Sequence, residues 1–200
     1  MTGPSVRCFV CLVPSEEVRE SLEAFLVPWR RQHRDFKWVR REQLHLTLKF
    51  CGEQPQETVD ALGETLEGTV RALSSFSLAA VGTGCFPRTG TQRVLWCGLD
   101  GDRDALLRLV ERVEEGAVAA GLERERRPFS PHLTLARLRP GQTLPRGFLD
   151  DFRHPEPFGT PWTVGEILLM RSDLGPQGPR YSLLGQIPLD GGDQHAPRGG

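Results

Sequence analysis

The stretch Leu44-His45-Leu46-Thr47-Leu48-Lys49-Phe50 alternates without a break, apolar at every even position and polar at every odd one. A period of two is that of a half-buried strand. Leu44, Leu46, Leu48 and Phe50 are therefore expected against a core, with His45, Thr47 and Lys49 together on the opposite face. The tetrapeptide inside it occurs again: His45-Leu46-Thr47-Leu48 returns as His132-Leu133-Thr134-Leu135. In the second copy His132 and Thr134 share a face while Leu133 and Leu135 turn inward. A histidine and a threonine two residues apart on one strand face lie about 7 Å apart, within reach of one phosphate-sized group. The chain has five histidines, and two of them stand in this same setting. Packing alone would not demand His and Thr together twice. His33, His154 and His195 have no such context and are read as surface residues.

The elements around the two motifs follow from periodicity. Val6 to Val13 reads as a buried strand. Ser15 caps a helix with apolar positions Val18, Leu22, Phe25 and Trp29, which Pro28 is expected to kink or end. After the first motif strand, stopped at Gly52, Pro55 opens a second helix bearing Val59, Leu62, Leu66, Val70 and Leu73. Residues 75–86 and 93–99 read as a hairpin. Asp102 and Asp104 open a third helix, with Gly121 just past its end. The second motif strand follows at about 130–138, then a short helix near 146–152 and two strands near 162–170 and 181–189. The pattern strand–helix–strand with the tetrapeptide at its end thus appears twice, and no low-complexity linker divides the copies. The predicted fold is α+β and bilobal: two pseudo-symmetric lobes with mostly antiparallel sheets flanked by helices, and a central cleft between them. Residues 1–190 are expected to form this single unit, and 191–200, lacking any apolar anchor, a disordered tail.

Composition narrows the function. With 25 basic and 26 acidic side chains the formal net charge is −1, which speaks against a strongly basic duplex binder. Two local arginine clusters, Arg30/Arg31/Arg34 with Arg40/Arg41 and Arg124/Arg126/Arg127, read as solvated helix ends or nucleic-acid contacts. No apolar run approaches the roughly 20 residues of a membrane span, and the N-terminus lacks the layout of a secretory signal. A cytoplasmic protein with no membrane partner is expected, and a monomer, since no interface stripe is evident. Cys8, Cys11, Cys51, Cys85 and Cys97 lie in apolar stretches and are expected to be buried. The lone CxxC of Cys8 and Cys11 has no second pair or nearby histidine to complete a zinc shell.

Two imidazoles and two hydroxyls around one phosphate suit the hydrolysis of a cyclic phosphodiester. Such a reaction needs a base to take a proton from water and an acid to protonate the departing alkoxide. Histidine, with an ordinary pKa of about 6.5, serves either role near neutrality. Threonine hydroxyls can donate to the non-bridging oxygens and stabilise the charge that grows on them. This chemistry requires no metal and no cofactor. A non-catalytic RNA-end or nucleotide-binding module would use the same pocket, and a turnover assay separates it from an enzyme.

At these residues the chain resembles the 2H phosphoesterase superfamily, whose members carry two H-x-[ST]-x motifs. More narrowly it resembles the RNA 2′,3′-cyclic phosphodiesterases, also described as 2′-5′ RNA ligase-like. Supporting stretches are Arg7-Cys8-Phe9-Val10, Leu44 to Phe50 with Gly52-Glu53, and Arg93-Val94-Leu95-Trp96. Phe129-Ser130-Pro131-His132-Leu133-Thr134-Leu135-Ala136-Arg137 and Gly178-Pro179-Arg180-Tyr181 complete them. The resemblance implies His45 as proton donor to the leaving ribose oxygen and His132 as proton acceptor from water. It implies Thr47 and Thr134 as phosphate-holding residues, a 2′-phosphomonoester product, and reverse 2′-5′ ligation onto a 5′-hydroxyl. The substrate is then an RNA with a 2′,3′-cyclic end, or another small cyclic or 2′-5′ linked nucleotide. Arg137 matches a phosphate-contacting position, yet its odd offset from His132 places it on the opposite face unless the strand bulges. For base stacking, Trp38 and Phe36 are candidates, with a core role equally open to them.

Overall fold

The computed structural model describes residues 5–176 and 178–190; the expected tail, 191–200, lies outside them. Strand β1 (Ser5–Leu12) is buried along most of its length. Helix α1 (Glu16–Gln32) starts where Ser15 Oγ accepts from the Val18 amide at 3.3 Å, with Glu16 and Glu17 in the favourable first turn. It does not end at Pro28. The helix runs on to Gln32, where the His33 amide donates to the Trp29 carbonyl. Proline forfeits its own helical hydrogen bond. Phe25 and Trp29, on either side of it, both pack on Phe152, with ring centroids 5.3 and 5.0 Å away, and this tertiary contact outweighs the loss.

A two-residue strand β2 (Lys37–Trp38) and a 3₁₀ turn at Arg41–Gln43 lead into β3 (Leu46–Pro55). Gly52 does not stop β3; at φ 72° it takes up an irregularity and pairing continues to Pro55. Then come α2 (Gln56–Val70), β4 (Phe76–Phe86), β5 (Val94–Gly101) and α3 (Arg103–Ala119). Asp102 caps α3, its carboxylate accepting from the Ala105 amide at 2.9 Å. Next are β6 (His132–Arg137), α4 (Phe148–Phe152), β7 (Trp162–Val164), β8 (Glu166–Gly175) and β9 (Gly178–Pro188). The expected strand near 162–170 is thus two strands, divided at Gly165.

Among the described residues the strands form one curled antiparallel sheet in the order β7-β4-β5-β6-β3-β1-β8-β9, with β2 alongside β6. It consists of two four-stranded halves, β7-β4-β5-β6 and β3-β1-β8-β9. Their junction is a single register pair, Leu46 with Leu133. The α+β, pseudo-symmetric, antiparallel architecture read from the sequence is what the chain adopts. The halves exchange elements, so no linker separates them. Helix α1 follows β1, yet its Phe25 packs on Phe152 and Phe158. The Phe158 amide in turn donates to the Ala80 carbonyl of β4. Helix α3 follows β5 but packs on α2 beside β3. There Gly116 allows close approach: a Cβ would lie 2.9 Å from Thr69 Oγ1, and Thr65 Oγ1 donates to the Gly116 carbonyl at 2.8 Å.

Candidate active site

The junction of the two half-sheets builds the site. Leu46 and Leu133, the leucines between His and Thr in each motif, are direct cross-strand partners and are 1% and 0% exposed. Extended by one residue to either side, that antiparallel register sets His45 across from Thr134 and Thr47 across from His132. All four polar side chains then share one face. Each imidazole is oriented in the same way. His45 Nδ1 lies 2.7 Å from the Gln43 carbonyl, and His132 Nδ1 lies 2.7 Å from the Ser130 carbonyl. A carbonyl can only accept, so Nδ1 carries the proton in both rings and Nε2 is left for chemistry. Aromatic side chains brace the rings. His45 packs on Phe9 at 4.8 Å and on the edge of Tyr181 at 5.4 Å, and His132 meets Phe86 edge-on at 5.1 Å.

Each motif strand bulges one residue after its threonine. On β3, Thr47 pairs with Cys11 and Lys49 with Val10, so Leu48 is the extra residue. On β6, Thr134 pairs with Trp96 and Ala136 with Leu95, so Leu135 is the extra one. A bulge inserts one residue and inverts the alternation beyond it. Two expectations drawn from strict alternation are therefore reversed. Lys49 is not beside His45 and Thr47; it is 6% exposed, with Nζ 2.8 Å from Glu114 Oε2 and 2.7 Å from the Glu123 carbonyl. Phe50 is not in the core but 53% exposed. The same device removes the difficulty over Arg137, which the bulge at Leu135 turns onto the face of His132 and Thr134.

A cavity of about 830 Å³ lies over this face, with His45, Thr47, Thr134, Arg137, Phe50 and Tyr181 in its wall. His132 is not itself in that wall, but its charge is near enough to act on His45. Burial pushes both imidazole pKa values down; the carbonyls of Gln43 and Ser130 push them up, and the positive charge of Arg137 adds to the lowering of both. In the free cleft both rings are accordingly biased to the neutral form. Among the described residues no three His, Cys, Asp or Glu side chains assemble as a metal shell, and all five cysteines are buried and free. No helix among them is long and apolar enough to cross a membrane.

The family model of the 2′-5′ RNA ligase superfamily matches residues 18–176, a span that holds both motifs and both bulges. The chain belongs to that superfamily. Within it, a Thermus thermophilus protein named RNA 2′,3′-cyclic phosphodiesterase is 37% identical over 196 residues, covering 93% of this chain and 91% of its own. The crystal structure of TT0787, also from Thermus thermophilus, superposes with a TM-score of 0.76 at 34% identity, over 93% of this chain and 99% of that one. Escherichia coli LigT complexed with 3′-AMP gives a TM-score of 0.71 at 29% identity, over 92% and 98%.

Three features of this superfamily member escape a reading by alternation. Phe50 reaches the cavity only because of the bulge. Its signal was the offset: Phe50 stands five residues after His45, as Arg137 stands five after His132. Phe9 and Tyr181 reach His45 from β1 and β9, and pattern alone gives no partner for either. Of the proposed stacking residues, Phe36 is buried and Trp38 donates from Nε1 to the His33 carbonyl at 2.7 Å, though both also border the cavity. His33 and His154 are not plain surface residues. His33 stacks between Trp29 and Phe36, and His154 packs on Phe25 and Phe158. In the arginine clusters, Arg30, Arg41, Arg124 and Arg127 meet Glu23, Glu16, Glu111 and Glu125, so carboxylates occupy them.

Proposed function

We propose that this protein hydrolyses the 2′,3′-cyclic phosphate at an RNA end to a 2′-phosphomonoester, using the two imidazoles as acid and base. The observation that carries this is the Leu46–Leu133 pairing, which sets the two His-x-Thr units in two-fold relation on one face of the sheet. His132 Nε2 takes a proton from water as the water oxygen attacks phosphorus. The bond from phosphorus to O3′ breaks, and protonated His45 gives its Nε2 proton to O3′. Thr47, Thr134 and Arg137 hold the non-bridging oxygens, where their donors meet growing negative charge. Burial and, to a smaller extent, Arg137 lower the pKa of His45 in the free cleft, so an arriving phosphate anion, by offsetting that guanidinium, favours the protonated ring the acid role needs. With a 5′-hydroxyl in place of water, the same steps make a 2′-5′ linkage.

The name of the Thermus relative and the 3′-AMP held by the LigT structure are of the class this reading expects. The protein works without a metal, as a cytoplasmic monomer. The test is product analysis on a short RNA with a 2′,3′-cyclic end, run in excess chelator. A 2′-phosphate at undiminished rate is expected. A 3′-phosphate, or loss of turnover with chelator, overturns the assignment.

A further inference from the structure

Arg137 has a direct cross-strand partner of like charge. Lys37 on β2 is paired in register with Arg137 on β6, so the two side chains leave the sheet on the same side. Both border the cavity, and both are exposed. Like charges directly opposed on neighbouring strands destabilise a sheet. No carboxylate offsets this pair: among the described residues neither Lys37 nor Arg137 joins an ion pair, and nor does Arg139 two residues further on. Asp35, two residues before Lys37, is engaged instead by Gln142 Nε2 at 2.6 Å. This contrasts with the arginine clusters elsewhere, which are matched by glutamates. One cyclic phosphate brings one negative charge, which Arg137, the hydroxyls and the imidazoles already meet. Lys37 and Arg139 exceed that need.

We propose that Lys37 and Arg139 form a second anion subsite that takes the phosphodiester one nucleotide upstream of the cyclic end, making the substrate an oligonucleotide rather than a mononucleotide. This rests on the reading of the cleft as a cyclic-phosphodiesterase site. Arg139, just past the end of β6, stands at most about 7 Å along the chain from Arg137, and Lys37 stands about 5 Å across from it. A ligand with a second phosphate group beside the first therefore reaches both. The neighbouring arginine Arg40 also borders the cavity, but Glu42 lies 3.2 Å from its Nε, so it supplies less free charge.

The test compares a 2′,3′-cyclic mononucleotide lacking a 5′-phosphate with a trinucleotide bearing the same cyclic end. Wild type should show kcat/KM at least tenfold higher on the trinucleotide. In the double variant Lys37→Ala/Arg139→Ala that advantage should vanish while the mononucleotide rate changes less than threefold. Emptying a subsite that neutralises one phosphate should also flatten the log–log salt dependence on the trinucleotide by about 0.7, the value per neutralised phosphate on a single strand. The charge-preserving Lys37→Arg should restore its share of the advantage. Equal wild-type rates on both substrates, or equal losses on both in the variant, would overturn the subsite. A mononucleotide carrying a 5′-pyrophosphate that matches the trinucleotide would overturn the oligonucleotide assignment and leave a polyphosphate one. If neither cyclic substrate turns over, the catalytic reading fails first. The subsite is then judged by binding of a trinucleotide 2′-phosphate, which the double variant must weaken at least tenfold for it to stand.

Discussion

The two motif strands are alike in form and unlike in what they carry beyond it. Each runs His, Leu, Thr, Leu; each bulges at the second leucine; each then turns one side chain inward and the next one out. On β3 those two residues are Lys49 and Phe50, and on β6 they are Ala136 and Arg137. The shared part places two imidazoles and two hydroxyls about a common point. The unshared part breaks the symmetry, giving one half an aromatic face and a buried charge, the other a guanidinium. A symmetric cradle suits a phosphate, whereas its ester oxygens are inequivalent and need unlike neighbours.

If the shared part acts as a unit, breaking either half should be nearly as damaging as breaking both. His45→Ala and His132→Ala should each lower kcat by about 10²–10⁴-fold, the range general acid–base catalysis supplies. The double variant should fall little further, because residues acting together are not additive. Steady-state rates on a cyclic-ended RNA check this. A single variant retaining a tenth of the activity would remove that histidine from the chemistry.

The inward residues differ most in stability. Lys49 and Glu114 form a buried pair, each 6% exposed, and Lys49 also holds the Glu123 carbonyl while Glu114 accepts from the Glu125 amide at 3.1 Å. The pair thus clamps the segment that leads towards Ser130 and His132. Lys49→Met leaves a buried carboxylate without its cation and should cost about 3–5 kcal/mol, read by urea denaturation. Ala136→Ser, at the matching place on β6, has no charge to strand and should cost far less. Similar losses at both positions would mean that the bulge, and not the ion pair, is what the fold depends on.

Where the sequence speaks of local chemistry it reads truly here. The caps at Ser15 and Asp102, the strand periods and the doubled tetrapeptide led to antiparallel α+β halves and to four residues that the fold does bring together. It misleads where the answer depends on a neighbour. Nothing in the run from Leu46 to Phe50 says that Leu48 will go unpaired, because the bulge belongs to the pairing of β3 with β1. Lys49 reads as a polar-face residue until Glu114, 65 positions away, is found beneath it. Pro28 reads as a helix end until Phe152 is found against its neighbours. The division at Gly165 is of the same kind, one apolar run shared between the edge strand β7, beside β4, and the inner strand β8, between β1 and β9.

The outward residues separate charge from contact. If Arg137 holds the phosphate as proposed, Arg137→Gln removes a charged donor, a loss of about 1.5–3 kcal/mol or roughly 10–100-fold in kcat/KM. It should also move the pH–rate profile. The guanidinium lowers the pKa of both His45 and His132, so its removal raises both, and both limbs of the bell shift to higher pH. A loss of rate with no shift in the limbs would mean that Arg137 binds phosphate without setting the protonation of the pair.

Phe50 tests the other half of the contrast, with the smallest effect. Its ring borders the cavity, and the Arg7 guanidinium lies 4.7 Å from its centroid. A cation on one face of an aromatic ring leaves the other face for a planar partner, and a nucleobase is the planar part of this substrate. Stacking of that kind is worth about 1–3 kcal/mol per base. Phe50→Leu keeps the apolar bulk but not the ring face, so a loss near the lower end is expected, roughly fivefold in KM. Because the contact lies away from the reacting atoms, kcat and the pH profile should stay as they were, unlike the result at Arg137. Phe50→Tyr, which keeps the face, should behave as wild type. If Phe50→Leu lowered kcat and left KM alone, the two outward positions would share one role, and the asymmetry between the halves would lie in Lys49 alone.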